Sequence, residues 1–350
     1  MSHPFPDFYG NGTVAKTLAQ MIARGEIPQA MLLSGPEGIG KATLARRFAA
    51  ALLGDGAKVE QDDLSLRQNL EIIEQREKWP AETRNDDPLL FSTHPDFVTF
   101  APDGPLRQLT IPQMRLLRER AQFRPLRGER RVFLIDHLER ANEQAANSLL
   151  KVLEEPPEHL ILMATVENVY DLLPTIRSRC ILLQMSRLSD AEMLEFAAAR
   201  NLPDAEARLS VSQACPGLAA TLDLDQFQER RSLMLAALEC GAGLTPFSAW
   251  VEHSENFAAR KSEKLEFYLK FAYGLLEDVL AGLHGRPPVR NRDLQPRVAA
   301  VARAVNFAWV ARAVHVVDEL VLMVRRNIQK LPALDAMIIN LRNPVENNRT

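Results

Sequence analysis

"LLSGPEGIGKATLARRF", residues 32–48, decides how the rest of the chain is read. Gly35, Gly40 and Lys41 complete the spacing G-x-x-x-x-G-K, with Gly38 inside the same loop. In such a loop glycines let backbone N–H groups close around phosphate, and the helix that follows adds positive potential at its first turn. Lys41 stands where it would contact the outer phosphates. The next position calls for a Ser or Thr hydroxyl that ligates magnesium. It is Ala42, and a threonine comes one place late, at Thr43. One residue of helix turns the side chain by about 100°, so Thr43 does not replace the missing ligand. The stretch predicts a strand, a phosphate-binding type of loop and a helix, with an impaired metal site.

Working outward, short apolar runs alternate with helical patterns. "AMLLSG" (30–35), "DFVTFAP" (96–102), "RVFLID" (131–136), "LILMAT" (160–165) and "CILLQM" (180–185) read as five buried strands. Near-continuous apolar runs of this length suit strands covered on both faces, hence a parallel sheet under helices. Between them, "KATLARRFAAALLG", "IPQMRLLRERAQF" and "NEQAANSLLKVLEE" carry apolar residues three or four apart. The alternation predicts an α/β fold with a parallel five-stranded sheet. Asn142 is placed to cap the third of these helices, and Pro156-Pro157 to end it.

Residues 55–93 interrupt the pattern with ten acids against five Lys or Arg. They read as a mobile, solvated acidic insertion containing one helix, "LRQNLEIIEQREKW". Beyond about residue 186 the strand signals stop. The expected organisation is a nucleotide-binding type of domain over 1–186, a small helical domain over 187–235 and a C-terminal helical domain over 236–350. In the last of these, Val298, Val301, Val305, Val316, Leu320 and Val324 recur as the buried face of one long helix.

The bulk composition narrows the class. The chain has 350 residues, 46% hydrophobic and 25% charged, with a net charge of −3, so a soluble multidomain protein is expected. Three scattered cysteines suit a reducing compartment rather than a disulfide framework. No apolar run reaches the roughly 18 residues of a membrane span, and a cytoplasmic location follows as the expectation.

Hydrolysis needs acids at the end of a neighbouring strand, and "VFLIDHLER" supplies Asp136. The adjacent position, where a glutamate would activate water, is His137. Glu139 reads as a helix-start acid rather than a substitute base. Between Arg115 and Arg131 seven arginines face only Glu119 and Glu129, a local charge of +5. Such a cluster either contacts nucleic-acid phosphates, without reading sequence, or solvates the surface and pairs with a neighbour's acids. No aromatic interleaving supports stacking on single-stranded nucleic acid.

With these pieces in order, "PQAMLLSGPEGIGKATLA", "THPDF" (93–97), "SLLKVLEEPP" (148–157) and "LPTIRSRC" (173–180), the chain resembles the AAA+ clamp-loader subunits of bacterial DNA polymerase III. The resemblance is dense over roughly 1–190 and thin beyond, where "LPALDAMIINLR" (331–342) is compatible with it. It implies an AAA+ P-loop domain, a helical lid and a helical collar. It implies a ring in which ATP lies between neighbours and the arginine of the "SRC" element, here Arg179, reaches the phosphates held by the next subunit. Arg177 is the weaker candidate for that role.

Against the family's active members this chain departs at three places: Ala42, His137, and Ala219 in "CPGLAATLDL", where a sensor arginine belongs. The resemblance therefore implies a subunit that supplies an arginine finger but does not hydrolyse ATP. ATP or ADP is expected to bind weakly or not at all, and magnesium to be poorly held. Many relatives carry a four-cysteine zinc module before "HPDF"; this chain has none there, so no zinc is expected, and His94 reads as a packing residue. Thr165 or Asn168 holds the place of a first sensor. The implied partners are gamma/tau-type ATPase subunits, a delta subunit, the sliding clamp, and primed DNA touched through Arg115 and Arg118. The rivals are an ATP-hydrolysing motor subunit and a stand-alone nucleotide-sensing DNA-binding protein.

Overall fold

The computed structural model describes residues 5–259, 265–288, 290–324 and 329–342. In chain order α1 (Gly12–Arg24) leads to β1 (Ala30–Ser34), the glycine loop and α2 (Lys41–Leu53). Three short helices follow, α3 (Gly56–Glu60), α4 (Arg67–Arg76) and α5 (Ala81–Asp86). Then come β2 (Phe97–Phe100), α6 (Ile111–Ala121), β3 (Arg131–Ile135), α7 (Glu143–Glu154), β4 (Leu160–Val166), α8 (Pro174–Arg177) and β5 (Ile181–Gln184). The remainder is helical: α9 (Asp190–Ala199), α10 (Ala205–Val211), α11 (Pro216–Thr221), α12 (Leu224–Gly241), α13 (Phe247–Ala259), α14 (Leu265–Leu283), α15 (Gln295–Ala304), α16 (Phe307–Val324) and α17 (Lys330–Arg342).

The five expected strands form one parallel sheet in the order β2-β3-β4-β1-β5. Every residue of β1 to β4 is buried, as their apolar runs require of strands covered on both faces. β5 departs from the buried strand expected. It is an edge strand, and Ile181 and Leu182 are half exposed. Helix starts follow the capping signals: Asn142 accepts from Ala145 N at 2.8 Å, and Ser189 with Glu192 closes a capping box at α9.

The stretch 55–93 folds into three short helices whose outer acids, among them Glu71, Glu74, Glu82 and Asp86, are exposed as expected, while other acids clasp buried arginines. Arg46, 2% exposed, donates to Glu60 at 3.3 Å and also pairs with Asp63. Arg76, 4% exposed, is gripped by Asp103 at 2.8 Å and by Asp87 at 3.0 Å. Asp62 accepts from the Thr93 amide and hydroxyl, tying the far end of the stretch back to its start. A buried guanidinium needs several acceptors at once, and the acid-rich composition supplies them.

The chain divides into two compact units, residues 1–205 with 214–220, and 206–213 with 221–350. The boundary expected at 186/187 falls inside the first unit, and that at 235/236 inside α12. The core of the second unit gathers Leu238, Trp250, Leu269, Ala272, Val301, Ala313, Val317 and Met337. The long helix expected over 298–324 is two helices, α15 and α16, bent by 110°. Asn306 makes the break: its side chain accepts from Trp309 N at 2.9 Å and starts α16 afresh. Val298, Val301, Val316 and Leu320 are buried as expected and Val305 partly so, while the side chain of Val324 lies outside the described residues. Among the described residues no single helix is long and apolar enough to cross a membrane.

Candidate functional site

The loop after β1 and the turns after β3 and β4 meet at the C-terminal edge of the sheet, because β4 lies between β3 and β1. Open α/β sheets bind ligands at such edges. Gly35 N donates to Val166 O at 3.1 Å, fixing where the loop leaves the sheet. Gly38 has φ +74°, and a Cβ there would lie 2.6 Å from Leu218 Cγ and 2.9 Å from Leu218 N. Its carbonyl accepts from Gly217 N at 2.8 Å, so the segment at the start of α11 closes over the loop. Gly40, at φ +97°, is the N-cap of α2 and rests against Phe8. The backbone path has the shape of a phosphate cradle and requires its glycines.

The side chains around it do not complete a hydrolytic site. Lys41 is buried and donates to the loop's own carbonyls, Gly35 O at 2.6 Å and Pro36 O at 2.9 Å. Burial holds its pKa below the ordinary lysine value, against the opposing pull of Glu167, Asp136 and Glu139. Ala42 and Thr43 follow, half-buried on α2, and Ala42 offers no oxygen to a metal. The residues present thus fit a phosphate group in backbone shape and lack the hydroxyl that would hold its magnesium.

Asp136 accepts from the Thr165 hydroxyl at 2.6 Å. The same hydroxyl accepts from His137 N at 2.8 Å, so Thr165 on β4 holds the turn after β3 at two points and its only proton is committed. His137 is in the left-handed region, φ +54°, and its ring Nδ1 donates to Glu139 at 2.9 Å. Burial disfavours the charged imidazole, but the bond to Glu139 and the nearby Asp136 charge outweigh it and raise the pKa above the ordinary value. Burial likewise disfavours the Glu139 carboxylate, and His137 more than compensates, drawing that pKa down. Glu139 is therefore the partner of His137, beyond the helix-start acid expected. Atoms of His137, Glu139 and Glu167 lie within 4.8 Å of one another, a grouping no sequence spacing announced.

The other candidate positions are spread over the first unit, some of them bordering the loop. Ala219 is fully buried in α11, beside the contact with Gly38. Asn168 caps a short turn by accepting from Tyr170 N at 3.1 Å. His94 is buried, and its Nδ1 accepts from Asp96 N at 3.1 Å, a packing role as expected. All three cysteines are free thiols. Arg115 and Arg118 are exposed on α6. Sequence reasoning missed Phe123, 61% exposed among the arginines, although it stands in plain view in "AQFRPLR". The loop that carries it is pinned by Asp96, whose carboxylate accepts from Leu126 N and Arg127 N at 2.7 and 2.6 Å.

Arg179 occupies the opposite edge of the sheet from the glycine loop. It precedes β5, whose Ile181 pairs with Met31, whereas Gly35 follows the far end of β1. Met31 and Gly35 are four residues apart along the strand, about 13 Å, and Arg179 lies two residues before Ile181, so no single side chain bridges the two. The Arg179 guanidinium is exposed and donates to Glu154 at 2.9 Å and to Thr175 O at 2.9 Å. Arg177 instead lies over the Tyr170 ring, 5.1 Å from its centre.

A sequence profile of the family described as "DNA polymerase III, delta subunit" matches residues 10–189. DNA polymerase III subunit delta' of Pseudomonas aeruginosa is 31% identical over 231 residues, 63% of this chain and 63% of that protein. DNA polymerase III subunit gamma of Buchnera aphidicola subsp. Schizaphis graminum is 28% identical over 192 residues, 55% of this chain and 47% of that one. Among solved structures, a DNA polymerase III gamma subunit-related protein of Thermotoga maritima aligns over 93% of this chain and 98% of its own, at 17% identity and a TM-score of 0.39. The chain spans less than two thirds of the length of the curated relatives it matches here.

Proposed function

The chain belongs to the family of DNA polymerase III delta subunits, and from that premise we propose that it acts as a delta-prime-type clamp-loader subunit that does not itself hydrolyse ATP. In this reading the chain lends Arg179 to ATP held by a neighbouring gamma/tau-type subunit. A guanidinium opposite the γ-phosphate neutralises charge that develops during transfer, an effect worth about 10³–10⁵ in rate. The observation that carries the reading is the placement of its cations. Arg179 is exposed at the edge of the sheet away from its own loop, and Lys41 is turned onto loop carbonyls beside an alanine that cannot ligate metal.

The chain's own site keeps the cradle of Gly35, Gly38 and Gly40 with Lys41, and binds ATP or ADP weakly or not at all. Magnesium is not held, since Ala42 and Thr43 leave the ligand position after Lys41 empty of oxygen. No zinc is involved. The partners are gamma/tau and delta subunits, joined through the C-terminal helices. With the sliding clamp they act on primed DNA, whose phosphates Arg115 and Arg118 contact. The setting is the cytoplasm.

The test is ATP hydrolysis by the reconstituted loader in the presence of clamp and primed DNA, with this chain as wild type or as Arg179→Ala, and by the chain alone. An inert isolated chain, with a complex that loses turnover on substitution while still assembling, is the expected result. Turnover by the isolated chain, unaffected in the complex by Arg179→Ala, would assign it to the motor subunits, which its 28% identity to a gamma subunit makes the rival reading.

A further inference from the structure

Two of the sequence elements that mark this chain, "SLLKVLEEPP" and "LPTIRSRC", are separated by more than a dozen residues and an entire strand, β4. The fold brings them together through one side-chain pair, Glu154 with Arg179, Oε1 to Nη2 at 2.9 Å. The second Nη of Arg179 donates to Thr175 O at 2.9 Å, so both ends of the guanidinium fork are fixed. We propose that Glu154 is a positioning residue for Arg179, setting the direction in which the guanidinium is offered to a neighbouring subunit's nucleotide. This rests on the reading of Arg179 as a finger acting in trans.

The two partners differ in how firmly they are anchored. Glu154 is the last residue of α7, which buries Ala145, Leu149, Val152 and Leu153 in the core of the first unit. Pro156 and Pro157 end the chain's helical course immediately after it. Arg179 follows α8, a helix of only four residues with one buried side chain, Ile176. A long cationic side chain on so short a support samples many rotamers, and Arg carries a large rotamer entropy. Fixing it from a rigid helix end removes that freedom before the neighbour's phosphate arrives, the kind of preorganisation on which transition-state contacts depend.

The exposure of the pair argues that orientation is its role. Side-chain exposures of 35% for Arg179 and 51% for Glu154 leave the ion pair screened by water, and such pairs add little to stability. The guanidinium has five N–H donors, so these two contacts leave others for a ligand.

The experiment measures kcat and KM for ATP in the reconstituted loader, with clamp and primed DNA, for wild type, Glu154→Ala, Glu154→Gln, Arg179→Ala and the double variant. Glu154→Ala is expected to lower kcat about tenfold, with KM and the melting temperature of the chain unchanged. Glu154→Gln, which keeps an acceptor, should recover most of the loss. The double variant should match Arg179→Ala alone, because a positioning residue has no function without the group it positions. A full effect of Arg179→Ala with none from Glu154→Ala, a rise in kcat on Glu154→Ala, or losses that multiply in the double variant would overturn the proposal and leave the finger reading standing. No effect of Arg179→Ala would overturn both.

Discussion

Lys41 and Arg179 are cations of the same unit at opposite edges of one sheet, and they are held in opposite ways. Lys41 is 6% exposed and satisfied by carbonyls of its own loop. Arg179 is exposed, steadied by one carboxylate and one carbonyl, and displayed outward. A cation buried on internal acceptors must give up those bonds to meet a ligand. One held at the surface can keep its supports while it does so. The difference gives the proposed function its physical basis: the presented charge is free to meet a neighbour's ligand, and the buried one is not.

The largest expected effect separates the two directly. In the assembled loader Arg179→Ala should cost about 10³ in ATP turnover, and Lys41→Ala less than about twofold. Steady-state hydrolysis by the two variants decides this, and the reverse pattern would mean that the glycine loop is the working site.

The next effect concerns stability and sharpens the contrast between buried and displayed pairs. Arg76 is 4% exposed and clasped by Asp103, itself nearly as buried. Asp103→Ala would take away its buried partner and leave only the exposed Asp87, and should cost about 3 kcal/mol in chemical denaturation. Glu154→Ala, which removes an exposed partner, should cost less than about 1 kcal/mol. Equal losses would show that burial does not distinguish the two pairs.

The smallest effect is a pH dependence beside Lys41. His137 titrates above its ordinary 6.5 in the folded chain, so its contribution is complete below 6.5 and fades as pH rises through the folded value. Glu139 titrates below its ordinary 4.5, so its contribution is present above 4.5 and fades as pH falls through the folded value. The pair thus stabilises most between those two ordinary values. Melting temperature should decline gently above pH 6.5 in the wild type, and His137→Gln should remove that part of the decline. Identical slopes in the two proteins would count against the ion pair.

Much of the fold was legible because burial along one backbone leaves a local record. Five apolar runs became five strands within a residue or two of where they were read. Asn142 caps its helix as its position promised. Where a signal depended on a partner it misled. The acids of 55–93 looked like solvated charge, since nothing in a composition tells which of them will meet Arg46 and Arg76. The break at Asn306 was overlooked because an apolar repeat continues through it, and only the capping bond to Trp309 N marks the turn. At the candidate site, Gly35 to Lys41 and Asp136 were found by spacing, whereas Thr165's double role, the His137–Glu139 pair and the closure of Gly217 onto Gly38 were not.

The sequence by itself determined the alternation of strand and helix, the glycine path after β1, the absence of a hydroxyl at Ala42 and the identity of every cation. These follow from side-chain chemistry, from near-continuous apolar runs and from apolar residues spaced three or four apart, which are local properties. Only the tertiary structure decided which cations would be buried and which displayed. That depends on the parallel sheet of order β2-β3-β4-β1-β5, whose common strand direction puts Asp136, Thr165 and Lys41 at one end and Glu154 with Arg179 at the other. Charges far apart in the chain acquire partners only when the backbone path has been fixed, because electrostatic pairing acts through space and within a few ångströms.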